Sequence, residues 1–132
     1  MENKNNENLI DEFLSCKTFV VAGSFRNEEK TAFQVFRRLI KAGKTVYPVT
    51  RAAAEADGVK AYKDLKEIQA EIDVVNLVTP PAVSLKTAKQ CLELGIKKIW
   101  FQPGAQDDEV LRFCGDNGIK TLYGVCVLIE AQ

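Results

Sequence analysis

Three times in this chain a stretch with helical apolar spacing runs into a glycine, meets a lysine within two residues and gives way to a short apolar run. The glycines are Gly43, Gly95 and Gly118, and the runs behind them are Thr45–Val49, Ile99–Phe101 and Ile119–Tyr123. A glycine just past the last helical residue ends a helix in the left-handed conformation, so each unit reads as helix, stop, strand. Two further runs, Phe19-Val20-Val21-Ala22 before Gly23 and Val74–Val78 before Thr79-Pro80-Pro81, lack the alternation of a half-solvated strand and read as strands buried on both faces. Strands alternating with helices build βαβ units with right-handed crossovers. The expected fold class is therefore α/β, a doubly wound parallel sheet of about five to six strands in three layers, α/β/α.

The remaining segments follow from local chemistry. Residues 1–8 are rich in Asn, Glu and Lys and are expected to form a disordered polar tail, which leaves 9–132 as the folded domain. Leu9, Ile10, Phe13 and Leu14 recur at helical spacing. Thr31 with Gln34 has the form of a capping box for a helix whose apolar positions include Ala32, Val35, Phe36, Leu39 and Ile40. Residues 52–60 are small and polar and read as a loop, Ala61-Tyr62 as a short edge strand and Leu65–Ile68 as a short helix. Helices are expected at Ala82–Leu94 and Asp107–Asn117, and the apolar Val125–Ile129 adds an edge strand or covers the sheet.

A length of 132 residues suits one domain and is too short for a cofactor domain plus a substrate domain. Eighteen basic residues balance eighteen acidic ones, so no global field favours nucleic acid or an anionic membrane. No apolar run reaches the ~20 residues of a membrane span, and the polar start has no signal-peptide layout, so the expected location is cytoplasmic. Histidine is absent, which removes imidazole-activated nucleophiles, the commonest general base near neutral pH and any Cys/His zinc site. Cys16, Cys91, Cys114 and Cys126 form no C-x-x-C pair and read as reduced, mostly buried thiols. Cys126 would be a nucleophile only if something lowered its pKa. No catalytic machinery is expected.

In a doubly wound sheet, ligands bind beyond the carboxyl ends of the strands, where the strand order reverses. Four segments reach that rim. Gly23-Ser24 lets the backbone turn sharply after a buried strand, so that amides at the next helix start can face a phosphate, with Phe25 in the same turn. Neither G-x-G-x-x-G nor a Walker A loop is present, and a plain turn remains the alternative. After the second strand stand Thr50-Arg51, where a classical NAD site would place an acid. An arginine there suits a phosphorylated ribose, the 3′-phosphate of coenzyme A or the 2′-phosphate of NADP; a solvated surface arginine is the other reading. Arg26 and Lys30 add charge to the same mouth or are merely exposed. Thr79-Pro80 stiffens the third loop, and Gln102 and Gly104 are expected on the far side of the cleft beyond Trp100.

In order along the chain come Lys17-Thr18 through Gly23-Ser24, Gly43…Tyr47-Pro48-Val49, Gly58…Tyr62-Lys63-Asp64-Leu65, Ile72-Asp73, Gly95…Trp100-Phe101-Gln102-Pro103-Gly104 and Cys126…Glu130. From Leu9 to Glu130 this pattern resembles the small stand-alone CoA-binding domain family, Rossmann-like and related to the N-terminal domain of the succinyl-CoA synthetase α-subunit. The resemblance implies coenzyme A along the strand ends. It sets Gly23 and Ser24 at the pyrophosphate, Thr50 and Arg51 at the adenosine end, and Thr79, Pro80, Gln102 and Gly104 in the third and fourth loops. Departures are Ala22-Gly23-Ser24 for the family's Gly-Ala-Ser, Phe25 where a small or basic residue is usual, Thr50-Arg51 for Asn-Pro, and Pro103 for an apolar residue. The synthetases' catalytic histidine lies in a domain outside this match. The leading expectation is non-catalytic binding of coenzyme A or an acyl-CoA, with the chain a homodimer or a partner of an acyl-CoA enzyme. An NADP-binding protein or small oxidoreductase is the rival, and a Rossmann-shaped interaction domain the third reading.

Overall fold

Packing two apolar faces of one sheet dictates most of the architecture. The structure, a computed structural model, describes residues 2–131; Met1, in the expected tail, and Gln132 lie outside it. Helix α1 (Glu2–Leu14) leads into β1 (Thr18–Gly23), α2 (Thr31–Lys41) and β2 (Thr45–Val49). A small antiparallel pair follows, β3 (Glu55–Ala56) and β4 (Val59–Lys60), then a 3₁₀ turn at Leu65–Glu67. The chain continues through β5 (Val74–Val78), α3 (Pro81–Leu94), β6 (Lys98–Phe101), α4 (Asp108–Asp116), β7 (Lys120–Leu122) and α5 (Val127–Glu130). The main sheet has five parallel strands in the order β2-β1-β5-β6-β7, a Rossmann-like doubly wound arrangement.

Alternate residues of the strands feed two cores. Phe19, Val21, Val74, Trp100 and Leu122 face α1, α2 and α5, whereas Val20, Ala22, Val75, Leu77, Ile99 and Phe101 face α3, α4 and the 3₁₀ turn. Period-two side-chain direction thus lets one run of apolar residues serve both layers, which is why these strands carry almost no polar position. The glycine stops hold: after α3, Gly95 adopts φ 78° and Ile96 N–H reaches back to the Cys91 carbonyl at 2.9 Å, closing a Schellman motif.

Four local expectations are corrected. Helix α1 starts at Glu2 instead of Leu9 and takes in residues 2–8 of the stretch expected as a tail; no Gly or Pro interrupts it there. Thr31 is the first helical residue of α2 and not its cap: Lys30 occupies the cap position without a side-chain bond, and Gln34 Nε2 donates to the Glu29 carbonyl. The preceding turn is instead organised by Asn27, whose Oδ1 accepts the Glu29 N–H at 2.9 Å. Residues 52–60 are not all loop, because Asp57 (φ 51°) and Gly58 (φ 82°) form the tight turn of the β3–β4 hairpin. Arg37 on α2 clasps that turn with two hydrogen bonds to Asp57, at 2.7 and 2.8 Å. Ala61-Tyr62 contributes one parallel bridge, Val49 with Tyr62, and no strand.

Val125–Ile129 covers the sheet rather than extending it. Trp100 Nε1 donates to the Val125 carbonyl at 3.0 Å, and Arg38 on α2 donates to the carbonyls of Leu128 and Ala131. Gln102, 3% exposed, accepts the Val127 N–H through Oε1 and donates from Nε2 to Cys126 Sγ.

Candidate functional site

The sheet reverses direction of growth between β1 and β5, and their last paired residues are Gly23 and Val78. There the backbones come so close that a Cβ on Gly23 would meet the Val78 carbonyl oxygen at 2.7 Å and the Ala32 Cβ of α2 at 2.9 Å. Only glycine fits. The switch point opens into a cleft of about 430 Å³, within the size range of nucleotide and cofactor pockets.

Six of the expected residues line this cleft together: Gly23, Ser24, Thr50, Arg51, Thr79 and Pro80. Thr50 is 5% exposed and its Oγ1 accepts the Ala52 N–H at 3.1 Å, closing a turn that carries Arg51, exposed, on the cleft rim. Pro80 occupies the cap position of α3 with Pro81 in its first turn, and Thr79 Oγ1 lies 2.8 Å from Ser84 Oγ, so the third loop is held at both ends.

Other expected residues fall elsewhere. Phe25 does not reach the cleft with its side chain: it is 2% exposed and packs on Phe33 and Phe36 with ring centroids 5.4 and 5.7 Å away. Burial of a large ring under α2 outweighs loop exposure here. Arg26 and Lys30 are not among the cleft residues. Gln102 and Gly104 line a neighbouring depression of about 320 Å³ that shares Val78, Thr79 and Pro80 with the cleft, so the third loop forms the wall between them. The amide of Gln102 is turned to Cys126 and Val127 and is not offered to a ligand.

The cleft also has a wall that sequence reasoning missed. Val83, Lys86, Thr87 and Gln90 project from one side of α3, at i, i+3, i+4 and i+7, against Lys63, Asp64 and Leu65. The polar Lys86, Thr87 and Gln90 of that stripe, on a helix opening directly after Thr79-Pro80, were the available signal. Asp64 Oδ1 accepts the Lys66 N–H at 3.0 Å, and Gln90 Nε2 lies 3.2 Å from each Asp64 oxygen. The Asp64 carboxyl is held below the usual carboxylate value, first by the Lys66 backbone bond, with Gln90 and the Lys66 and Arg51 charges assisting against partial burial. Three cations, Arg51, Lys63 and Lys86, line the same cleft as this carboxylate. A ligand with several negative charges and a flat apolar portion fits that lining: glycine backbone and hydroxyls at the switch point, cations at the rim, Val49, Leu65 and Val83 between them.

The four cysteines are free thiols; Cys91 and Cys114 are buried. Burial pushes the Cys91 thiol up to about 12 and Cys114 to about 11, which makes both unreactive at neutral pH. Among the described residues, no His, Cys, Asp and Glu cluster could hold a metal, and no helix is long and apolar enough to cross a membrane.

A family model described as a CoA binding domain matches residues 17–132. Among curated proteins, the α-subunit of ADP-forming acetate–CoA ligase II of Pyrococcus furiosus is 35% identical over 92 residues, 69% of this chain and 20% of that subunit. The chain thus spans about a fifth of that relative's length. The uncharacterized Bacillus subtilis protein YneT is 26% identical over 129 residues, covering 98% of this chain and 96% of its own. Among solved structures, a conserved hypothetical protein of Pyrococcus furiosus superimposes with a TM-score of 0.82 at 34% identity, over 87% of this chain and 99% of that one.

Proposed function

The chain belongs to the CoA binding domain family, and from that premise we propose that it binds coenzyme A or an acyl-CoA, without catalysing a reaction, in the cleft at the carboxyl ends of its parallel strands. The observation that carries this reading is the close approach at Gly23, at a switch point that opens into a cleft carrying Arg51, Lys63 and Lys86. The pyrophosphate lies against Gly23-Ser24 and the third loop, where backbone groups and hydroxyls can donate. The ribose phosphate meets Arg51 and the neighbouring lysines, which is the feature that separates coenzyme A from NAD. The chain's similarity to part of an acetate–CoA ligase subunit supports a cytoplasmic binding module that works beside a separate acyl-CoA enzyme.

Calorimetric titration with coenzyme A, dephospho-CoA, NADP and NAD tests the reading. Coenzyme A should bind tightest, and Arg51→Ala should weaken it about three- to tenfold while narrowing its advantage over dephospho-CoA, the range for a charge contact at an exposed rim. Equal indifference to all four ligands would refute the assignment. Acetyl-CoA formation by the chain alone from acetate, ATP and coenzyme A would refute the non-catalytic part.

A further inference from the structure

One pair in the cleft is not needed to hold phosphate. Gln90 aims Nε2 at both oxygens of Asp64, and Asp64 also accepts the Lys66 N–H. An ionised carboxylate is acceptor-only, so the Gln90 amide cannot turn round without setting its own oxygen against Asp64. The arrangement therefore fixes which end of the amide is left for a ligand: Oε1, a hydrogen-bond acceptor, on a residue that lines the cleft. Val49, Leu65 and Val83 line the same cleft and offer apolar surface for a flat ring.

We propose that Gln90, held in one orientation by Asp64, is a specificity-determining residue that reads the base of the bound nucleotide as a 6-aminopurine. The inference rests on the cleft being the nucleotide site. Oε1 accepts an N–H from the exocyclic amine of such a base. A 6-oxopurine would put its carbonyl oxygen against Oε1, acceptor against acceptor, and leave both unpaired. In the bidentate glutamine–adenine pair of major-groove recognition the amide oxygen likewise accepts from the 6-amine; with Nε2 engaged by Asp64, Gln90 uses that acceptor half. Asp64 is a positioning residue: it touches Gln90 and sets its direction.

Titrating the full chain with adenosine 3′,5′-bisphosphate and inosine 3′,5′-bisphosphate, which differ only in the 6-substituent and the accompanying N1 proton, reads this directly. The wild-type chain should favour the adenosine ligand on the order of tenfold, the effect of one hydrogen bond exchanged for an unpaired acceptor. Gln90→Leu should bring the ratio close to one. In Asp64→Asn, Oδ1 can still accept the Lys66 N–H, which leaves Nδ2 facing Gln90. The Gln90 amide then turns, offers Nε2 to the cleft, and the preference should shift to inosine, an inversion that a merely structural role would not produce. Should Asp64→Asn fail to fold, Gln90→Leu, a substitution on a half-buried helix surface, keeps the test intact. Equal wild-type affinities for the two bisphosphates, or a wild-type ratio retained by the folded variants, would overturn the proposal. Failure of the wild-type chain to bind coenzyme A in a parallel titration would overturn the nucleotide reading itself, whereas coenzyme A binding without base discrimination sinks only the role of Gln90.

Discussion

Gly23→Ala isolates the geometry on which the cleft depends. The added methyl would lie 2.7 Å from the Val78 carbonyl oxygen, 2.9 Å from the Ala32 Cβ and 3.1 Å from the Val78 Cβ. None of these atoms is the free end of a flexible side chain, so β1 must separate from β5 or α2 must slide outward. Overpacking of this kind costs about 1–3 kcal/mol. In a domain of this size each kcal/mol moves Tm by roughly 3–5 °C, so a drop of about 3–15 °C is expected. Gly115→Ala supplies a control of opposite sign. Gly115 lies within α4, and a methyl added there would meet nothing within 4 Å, so alanine in this helix should add about 0.5–1 kcal/mol. Differential scanning calorimetry measures both. On the proposed placement of the pyrophosphate, coenzyme A affinity of Gly23→Ala should also fall on the order of tenfold, because the displaced elements flank that position. A Gly23→Ala protein with wild-type Tm and wild-type affinity would refute the argument that close approach of two strands builds the site.

Gln102→Leu leaves the Val127 N–H buried without an acceptor and should destabilise the chain by about 1–3 kcal/mol in urea titration; a loss within error would mean that α5 is not anchored through that amide. Iodoacetamide at pH 8 should spare Cys91 and Cys114 in the folded chain and label them once denaturant is added; equal labelling in both conditions would contradict their burial and raised pKa values. Asp57 is held below its usual value chiefly by hydrogen bonds from Arg37, so its folded state resists protonation more than the unfolded chain does. The stability it contributes is present above the ordinary carboxylate pKa and is lost as pH falls through the lower folded value. Urea midpoints measured from pH 6 downward should therefore fall, and fall less steeply in Arg37→Leu; identical slopes would remove the linkage.

The strand runs were legible because burial on both faces favours apolar residues, with Asn76 the buried polar exception: Phe19–Ala22, Val74–Val78 and Ile99–Phe101 all lie in the parallel sheet. The stops at Gly43, Gly95 and Gly118 were legible because few residues other than glycine tolerate their positive φ. Local rules failed where a tertiary partner decides. Asp57-Gly58 carried its own hairpin signal, overlooked because its strands are only two residues long and are held partly by Arg37 from α2. Phe25 was expected at the cofactor site because nothing nearby in sequence says that Phe33 and Phe36 wait beneath it. In the cleft, residues that follow strand ends were found, since that rim is fixed by topology. Lys63, Lys86 and Gln90 were missed, because they meet only when α3 packs beside the segment after Tyr62.

Pairing β1 with β5, Phe19 beside Val74, places Gly23 and Thr79 together although a large part of the chain lies between them. Neither rim of the cleft exists until that long connection has closed, so an occupant acts as a clasp on the most entropically demanding step of assembly. A molecule bound there raises global stability by RT ln(1 + [L]/Kd), and transient opening, with the proteolysis that follows from it, is suppressed by the same factor. For a ligand that fills the cleft, this linkage would tie the lifetime of the folded chain to the supply of that molecule.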